Sequence, residues 1–270
     1  MTGSGSFKKP WPRLSQSVKN AYPFRLATTS FIYPDHIAPN VRMLAPFIDE
    51  IELLFFESTY PGSLPDPMEI RELIRLSESF GTTYNVHLPL DISITARDFE
   101  KRQQAVDTVK YCIDLAAPLS PNTWTLHLPY GEEGAENFNH WRDRTEESLG
   151  QLCPAYINGS LLSVETLDYP LEWIADLLAA FDLSVCLDIA HMAVHGLDWP
   201  RFYENFAYKI PIIHLYGFQK AHEHLGLDQM RADTRRAVAD LLPRFTGTLC
   251  LEVFSFAHLE ASLEILSQLA

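Results

Sequence analysis

Histidines and acids recur in this chain at one kind of place, the point where a short apolar run stops. The stretch Leu-Ser-Val-Cys-Leu-Asp-Ile-Ala-His at 183–191 shows it most compactly: an apolar run delivers Asp188 and, three residues on, His191. The phrases Val86-His87-Leu88-Pro89, Leu126-His127-Leu128-Pro129 and Ile213-His214-Leu215 repeat the pattern with imidazoles, and Glu165 and Glu252 repeat it with carboxylates. Burying such a group without a partner costs on the order of several kcal/mol. A single His or Glu at such a place is ordinarily a satisfied core group or a salt-bridge partner. Six consecutive apolar runs that each end on His, Asp or Glu need a shared reason. A divalent metal centre supplies one, since neutral imidazole and carboxylate suit Zn, Mn or Fe. No thiolate joins the pattern, so a structural Cys-rich zinc site is not expected. The expected ligands are His87, His127, Glu165, Asp188, His191, His214 and Glu252, with His224 from the polar stretch His222-Glu223-His224. His222 and Glu57 are additional candidates, Glu57 as a hydrogen-bonding partner of ligand or substrate.

Bringing these residues together requires strands whose ends meet. Runs at 24–30, 50–57, 82–87, 123–127, 161–166, 183–188, 210–215 and 247–254 read as strands by length and apolar content. Helical patterns at 39–47, 67–80, 97–117, 139–153, 171–181, 199–207, 228–242 and 257–269 alternate with them. Gly81 is placed to stop the second helix, and Pro89 and Pro129 close the third and fourth strands. This alternation predicts an α/β protein built as a single (β/α)8 barrel. An open doubly wound sheet would want a glycine-rich turn after the first strand, and residues 24–35 contain no glycine. In a barrel, active sites gather at the C-terminal strand ends. Period-2 alternation turns each strand-end histidine away from its apolar neighbours and toward the barrel mouth.

The bulk numbers exclude several classes. With a formal net charge of −14, the 270-residue chain forfeits most of the attraction that phosphate-backbone binding requires, so no nucleic acid partner is expected. No apolar run approaches the roughly 20 residues that span a bilayer, so no membrane partner is expected either. The four cysteines, at 112, 153, 186 and 250, have no short spacing, hence no disulfide framework. Residues 1–22 lack the apolar core of a signal peptide and are expected as a flexible extension to a catalytic domain over 23–270, in a cytoplasmic protein. His36, His140, His195 and His258 fall outside the pattern and are expected on the surface or in support. Tyr33, Tyr60, Tyr130 and Phe218, in expected loops, can cover an apolar ring, though helix packing explains such side chains equally well.

The ligand set resembles that of the xylose-isomerase-like barrels, a superfamily that includes the apurinic endonucleases. Those endonucleases take His from strands three and four, Glu from five, Asp-x-x-His from six, His from seven and Glu from eight. The resemblance implies that His87 and His127 hold one metal and that Glu165 bridges to a second, completed by Asp188, His214 and Glu252. His191 with seventh-loop residues would hold a third. The endonucleases carry Asp-x-His in that loop, where this chain reads His222-Glu223-His224. His224 matches the family histidine, and the partner of the third metal is left open between His222 and Glu223. Over residues 24–265 the chain is also similar to the cobamide-remodelling phosphodiesterases, the CbiR family. The similarity is carried by Thr28-Thr29-Ser30-Phe31-Ile32-Tyr33-Pro34-Asp35, Pro39-Asn40-Val41, Leu64-Pro65-Asp66 and Val86-His87-Leu88-Pro89-Leu90-Asp91. That resemblance implies hydrolysis of the nucleotide-loop phosphodiester of cobamides, a corrinoid small-molecule substrate, with two or three divalent metals.

Hydrolysing a phosphodiester takes an activated water and neutralisation of charge on the attacking and leaving oxygens, which paired metals provide. Glu165 and Glu252 are the expected catalytic carboxylates. One rival is a sugar or polyol isomerase or epimerase, with one metal and the same two glutamates as acid–base pair. A second is an endonuclease of the apurinic type, and a third is a non-catalytic metabolite-binding barrel. Metal count, salt dependence of oligonucleotide binding and turnover separate them.

Overall fold

The computed structural model describes residues 10–60, 62–130, 138–219 and 222–269, with the backbone alone for His222 and Glu223. The first four barrel strands are β1 (Arg25–Thr29), β2 (Glu50–Leu54), β3 (Thr83–His87) and β4 (Trp124–Leu126). They are followed by β5 (Leu162–Glu165), β6 (Ser184–Asp188) and β7 (Ile212–Leu215). After β7 comes an antiparallel hairpin, β8 (Gly217–Gln219) and β9 (His222–Leu225), outside the barrel. The strand β10 (Thr248–Leu251) then pairs in parallel with both β7 and β1 and closes an eight-stranded barrel. The expected (β/α)8 architecture is therefore the observed one.

Alternation along the strands divides their side chains between two environments. Outward residues such as Leu53, Val86, Val164, Leu187 and Ile213 belong to the large core between sheet and helices. Inward residues Ala27, Cys186, Ile212 and Cys250 form a separate small cluster in the lumen. Two residues further along their strands, on that same inward face, stand Asp188, His214 and Glu252. Register sets the level: Glu165 pairs with Cys186, and Asp188 pairs with His214.

The outer layer comprises α1 (Ile37–Leu44), α2 (Pro67–Phe80), α3 (Phe99–Ala116), α4 (Phe138–Leu152) and α5 (Ala175–Ala180). It continues with α6 (Ile189–Val194), α7 (Trp199–Phe206), α8 (Ala232–Leu241) and α9 (Phe256–Leu269). α2 shows why its sequence starts and stops a helix there. Asp66 accepts from the Glu69 amide while Glu69 reaches back to the Asp66 amide, and Gly81 ends the helix at φ 61°. Losing such a cap costs about 1 kcal/mol. None of the described helices is long and apolar enough to cross a membrane.

One expected boundary needs correction, the end of the second strand. β2 stops at Leu54, three residues before Glu57, and beyond it the amide and hydroxyl of Ser58 donate to Asp91. Within residues 10–22, Leu14 is buried, the Val18 amide donates to Phe47 O at 2.9 Å, and Pro12 O accepts from Tyr33 Oη at 2.8 Å. Residues 1–9 lie outside the described part. Of the loop aromatics, Tyr33 and Phe218 follow the packing alternative, buried in the core at 3% and 4% exposure. The connections after β6 and β7 hold α6 and the β8–β9 hairpin.

Candidate metal centre

Each ligand candidate is placed by a local rule. Asp188 is both the last residue of β6 and the N-cap of α6, where its Oδ1 accepts from the His191 amide at 2.7 Å. An Asp-x-x-His spacing is thus cap and third helical residue, which brings His191 Nδ1 to 3.4 Å from Asp188 Oδ2. His87 closes β3, and the next residue, Leu88, turns its carbonyl back to hold His87 Nδ1 at 2.9 Å. Glu252 follows β10 directly, its amide still bonded to Leu215 O at 3.2 Å.

Glu165 stands at the centre of four imidazoles. Its Oε2 lies 2.9 Å from His127 Nε2, 3.1 Å from His87 Nε2 and 3.7 Å from His214 Nδ1, while Oε1 lies 3.3 Å from His191 Nδ1. Glu252 Oε2 in turn is 3.2 Å from His214 Nδ1 and 3.8 Å from His224 Nδ1. Glu165, Asp188 and His214 are essentially sealed from solvent, and Glu252 is 6% exposed.

Acceptors outnumber donors in this cluster. His87 gives its Nδ1–H to Leu88 O, so a neutral ring presents a bare Nε2 lone pair to the Glu165 carboxylate. His214 gives its Nε2–H to Glu52 Oε1 at 2.9 Å, so its Nδ1 lone pair faces Glu252 and Glu165. Lone pairs at such distances repel unless a cation or a proton lies between them. Among the described residues, Asp188 Oδ2, His214 Nδ1 and Glu252 Oε2 are buried with no hydrogen-bond partner. Each orphan costs about 1–3 kcal/mol.

In the metal-free protein, protons fill part of this gap. Burial opposes charge on His87, but its hydrogen bond with Glu165 and the charges of Glu165, Glu52 and Glu252 outweigh it and raise His87 to about 9. His191 rises to about 10 against the same burial penalty, through Asp188 and Glu165. Burial works against Glu165 too, yet His127 and His214 hold it well below the usual carboxylate range. Asp188 is pushed by burial up to about 7, with His191 opposing and the charges of Glu165 and Glu252 adding to the rise.

These atoms fit divalent metals. One group joins His87, His127 and Glu165, and a second joins Glu165, Asp188, His214 and Glu252, with the candidate ligand atoms of each group within 4.8 Å of one another. Cys186 can also be grouped with Glu165 and His214, but burial raises its thiol and makes the thiolate costly, so it is a poor ligand. His191 and His224 share a third feature. Each gives Nδ1–H to a main-chain carbonyl, Thr166 O at 3.2 Å and Glu252 O at 3.0 Å, which leaves Nε2 as the lone-pair nitrogen of each neutral ring. Tyr216 links them, 4.2 Å from the His224 ring and 6.3 Å from that of His191. The hairpin that carries His224 requires Gly217, since a Cβ there would lie 2.0 Å from Gly226 O. His224 itself sits in the left-handed region at φ 55°, a conformation costing on the order of 1–3 kcal/mol in a non-glycine residue. The side chains of His222 and Glu223 lie outside the described residues.

Glu57 is not in the cluster. It is exposed and lines an open cleft of about 870 Å³, together with Phe31, His36, Phe56, Tyr60, Leu90 and other residues after β1, β2 and β3. Ring contacts connect this cleft to the centre: Phe56 to Phe254 at 5.7 Å, then Phe254 to His224 at 4.6 Å. His195 lines a smaller cavity beside His127 and His191. Sequence reasoning missed Glu52, whose buried carboxylate orients His214. Its alternation with Ile51 and Leu53 reads equally well as a strand with one face in water, so no sequence signal marked it.

An eight-stranded parallel barrel with helices between its strands defines the class, a TIM barrel, and here its C-terminal strand ends gather buried His and carboxylate groups that could hold metal. The sequence profile of the family described as xylose isomerase-like TIM barrel matches residues 48–269, and the chain belongs to that family. No curated protein sequence matches it. Among solved structures, it is similar to a D-tagatose 3-epimerase-like protein at 17% identity and TM-score 0.74, covering 91% of this chain and 97% of that one. Endonuclease IV from Thermus thermophilus matches at 17% identity and TM-score 0.66, covering 90% and 99%. The TTHB071 protein from the same organism, soaked with ZnCl2, matches at 21% identity and TM-score 0.65, covering 92% and 98%.

Proposed function

We propose that the chain is a metal-dependent phosphodiesterase that hydrolyses the nucleotide-loop phosphodiester of cobamides. The observation that carries the reading is the double ligand set: His87 with His127 on one side, Asp188, His214 and Glu252 on the other, and Glu165 common to both. An enzyme that needs one metal has little use for the first pair. Metals bound there would supply Lewis acidity and a water acidic enough to react near neutral pH. The chain's own residues hold the frame around that chemistry. Leu88 O fixes the His87 ring, Glu52 fixes His214, and Glu165 sits where both sets converge. His191 and His224, braced by Tyr216 and by main-chain carbonyls, keep the Nε2 lone pair available to a third metal.

The cleft supports a bulky substrate body. Its volume of about 870 Å³ lies toward the upper end of small-molecule sites, which run to about 1,000 Å³. Phe31, Phe56, Tyr60 and Leu90 offer apolar wall, while Asp35, Glu57 and Asp91 repel a polyanion such as DNA. That combination suits a large, mostly neutral ring system better than a nucleic acid or a small polyol. The test is incubation of the metal-loaded protein with a cobamide, following the spectral change as the lower base is lost and counting metals per chain. Two or more metals and release of a cobinamide-type product are expected. A second reading, a sugar epimerase, is favoured by one observation: Glu165, Asp188, His214 and Glu252 form a complete four-ligand group by themselves. One metal per chain with no hydrolysis of the cobamide would select it.

A further inference from the structure

Glu52 lies on the inward face of β2, at 0% exposure, and reaches through the lumen to β7, three strands around the barrel. Its Oε1 is 2.9 Å from His214 Nε2, and its Oε2 accepts from Cys250 Sγ at 3.3 Å. These two contacts fix both carboxylate oxygens. A carboxylate has only lone pairs to offer, so the hydrogen on the first bond belongs to His214 Nε2 and that on the second to the Cys250 thiol. The other ring nitrogen of His214, Nδ1, then faces Glu252 Oε2 at 3.2 Å and has no hydrogen-bond partner.

We infer that Glu52 is the positioning residue of the second metal group: it selects the Nε2–H form of His214 and dedicates Nδ1 to the metal. Carboxylate–histidine–metal relays of this kind fix ring orientation and raise ligand basicity, and their loss typically costs about 10- to 100-fold in affinity. Cys250 holds the carboxylate in the required rotamer from below. The inference rests on the metal-centre reading but not on the choice of phosphodiester substrate.

Glu52→Gln keeps the shape and removes the charge. Its amide can turn its NH2 toward His214 Nε2 and thereby favour the wrong ring tautomer. Zinc titration against a chromophoric chelator should show one site weakened about 10- to 100-fold in this variant, with the circular dichroism spectrum unchanged. Long-range 1H–15N spectra of the zinc-loaded wild-type protein should show His214 metallated at Nδ1 and retaining a downfield-shifted Nε2–H. That proton should lose its downfield shift in Glu52→Gln. Wild-type affinity in folded Glu52→Gln, or zinc on Nε2 of His214, overturns the role of Glu52 alone. Should Glu52→Gln fail to fold, the wild-type spectrum decides by itself. Failure of the wild-type protein to bind zinc overturns the metal-centre reading and this inference with it.

Discussion

Two buried glutamates on inward-facing strand positions, Glu50 and Glu165, occupy opposite ends of the same lumen and are treated in opposite ways. Glu50, near the start of β2, is surrounded by donors: Thr83 Oγ1 at 2.8 Å, Asn85 Nδ2 at 2.9 Å, Arg25 Nε at 3.1 Å and the side-chain amide of Asn122. Glu165, at the end of β5, is surrounded by imidazoles whose protons are partly committed elsewhere. One end of the barrel satisfies its acid from within; the other end gathers acceptors and leaves them short of positive charge. Burial alone therefore does not mark a functional carboxylate. Unbalanced demand does, and it sits at the end of the barrel where active sites gather.

The sharpest way to break this contrast is at Glu165. Glu165→Ala should reduce hydrolysis more than about a thousandfold and strip metal from both groups while the fold persists, because it removes the shared ligand. Turnover surviving in a folded Glu165→Ala protein would reject its bridging role. Saturating zinc comes next. At about 1,000 times the dissociation constant, ligation stabilises the native state by about 4 kcal/mol, seen as a higher melting temperature than in chelator. This gain should depend on pH with a definite sign. Metal must displace protons held by His87 up to about 9 and by His191 up to about 10, so binding releases protons and weakens as pH falls. Calorimetry in buffers of different ionisation heat measures that release; uptake independent of pH would contradict it.

Glu50→Gln should behave in the reverse manner, costing roughly 1–3 kcal/mol in urea unfolding without changing the number of metals bound. A change in metal content would mean that the two ends are not independent. The smallest effect belongs to Arg25→Ala. Its side chain is 48% exposed, so solvent screens the pair, and the loss should stay below about 1 kcal/mol.

Much of this contrast could be read from the chain before any fold was known. The strand-end positions of His87, Glu165, Asp188 and His214 stood out because short apolar runs end on them, and the structure brings their side chains to one centre. Glu50 and Glu52 did not stand out. Alternation of Glu with Ile51, Leu53 and Leu54 reads equally well as a strand with one face in water, and only barrel closure turns that face into a sealed lumen. The end of β2 was misread for a related reason: the apolar run continues through Phe55 and Phe56, yet the strand ends at Leu54. The hairpin carrying His224 has no apolar alternation to announce it. Its form follows from the close approach of Gly217 to Gly226.

Asp188 divides its two oxygens between two duties. Oδ1 starts α6 and Oδ2 faces the centre of the cluster, so a single side chain couples the beginning of a helix to the chemistry beside it. Asparagine could keep the first duty while surrendering the second, since its amide oxygen caps a helix as well as a carboxylate does. Glutamate, one carbon longer, would move both oxygens at once. Asp188→Asn should therefore fold normally yet bind metal poorly, a separation of scaffold from reactivity that no other position in the cluster offers so cleanly.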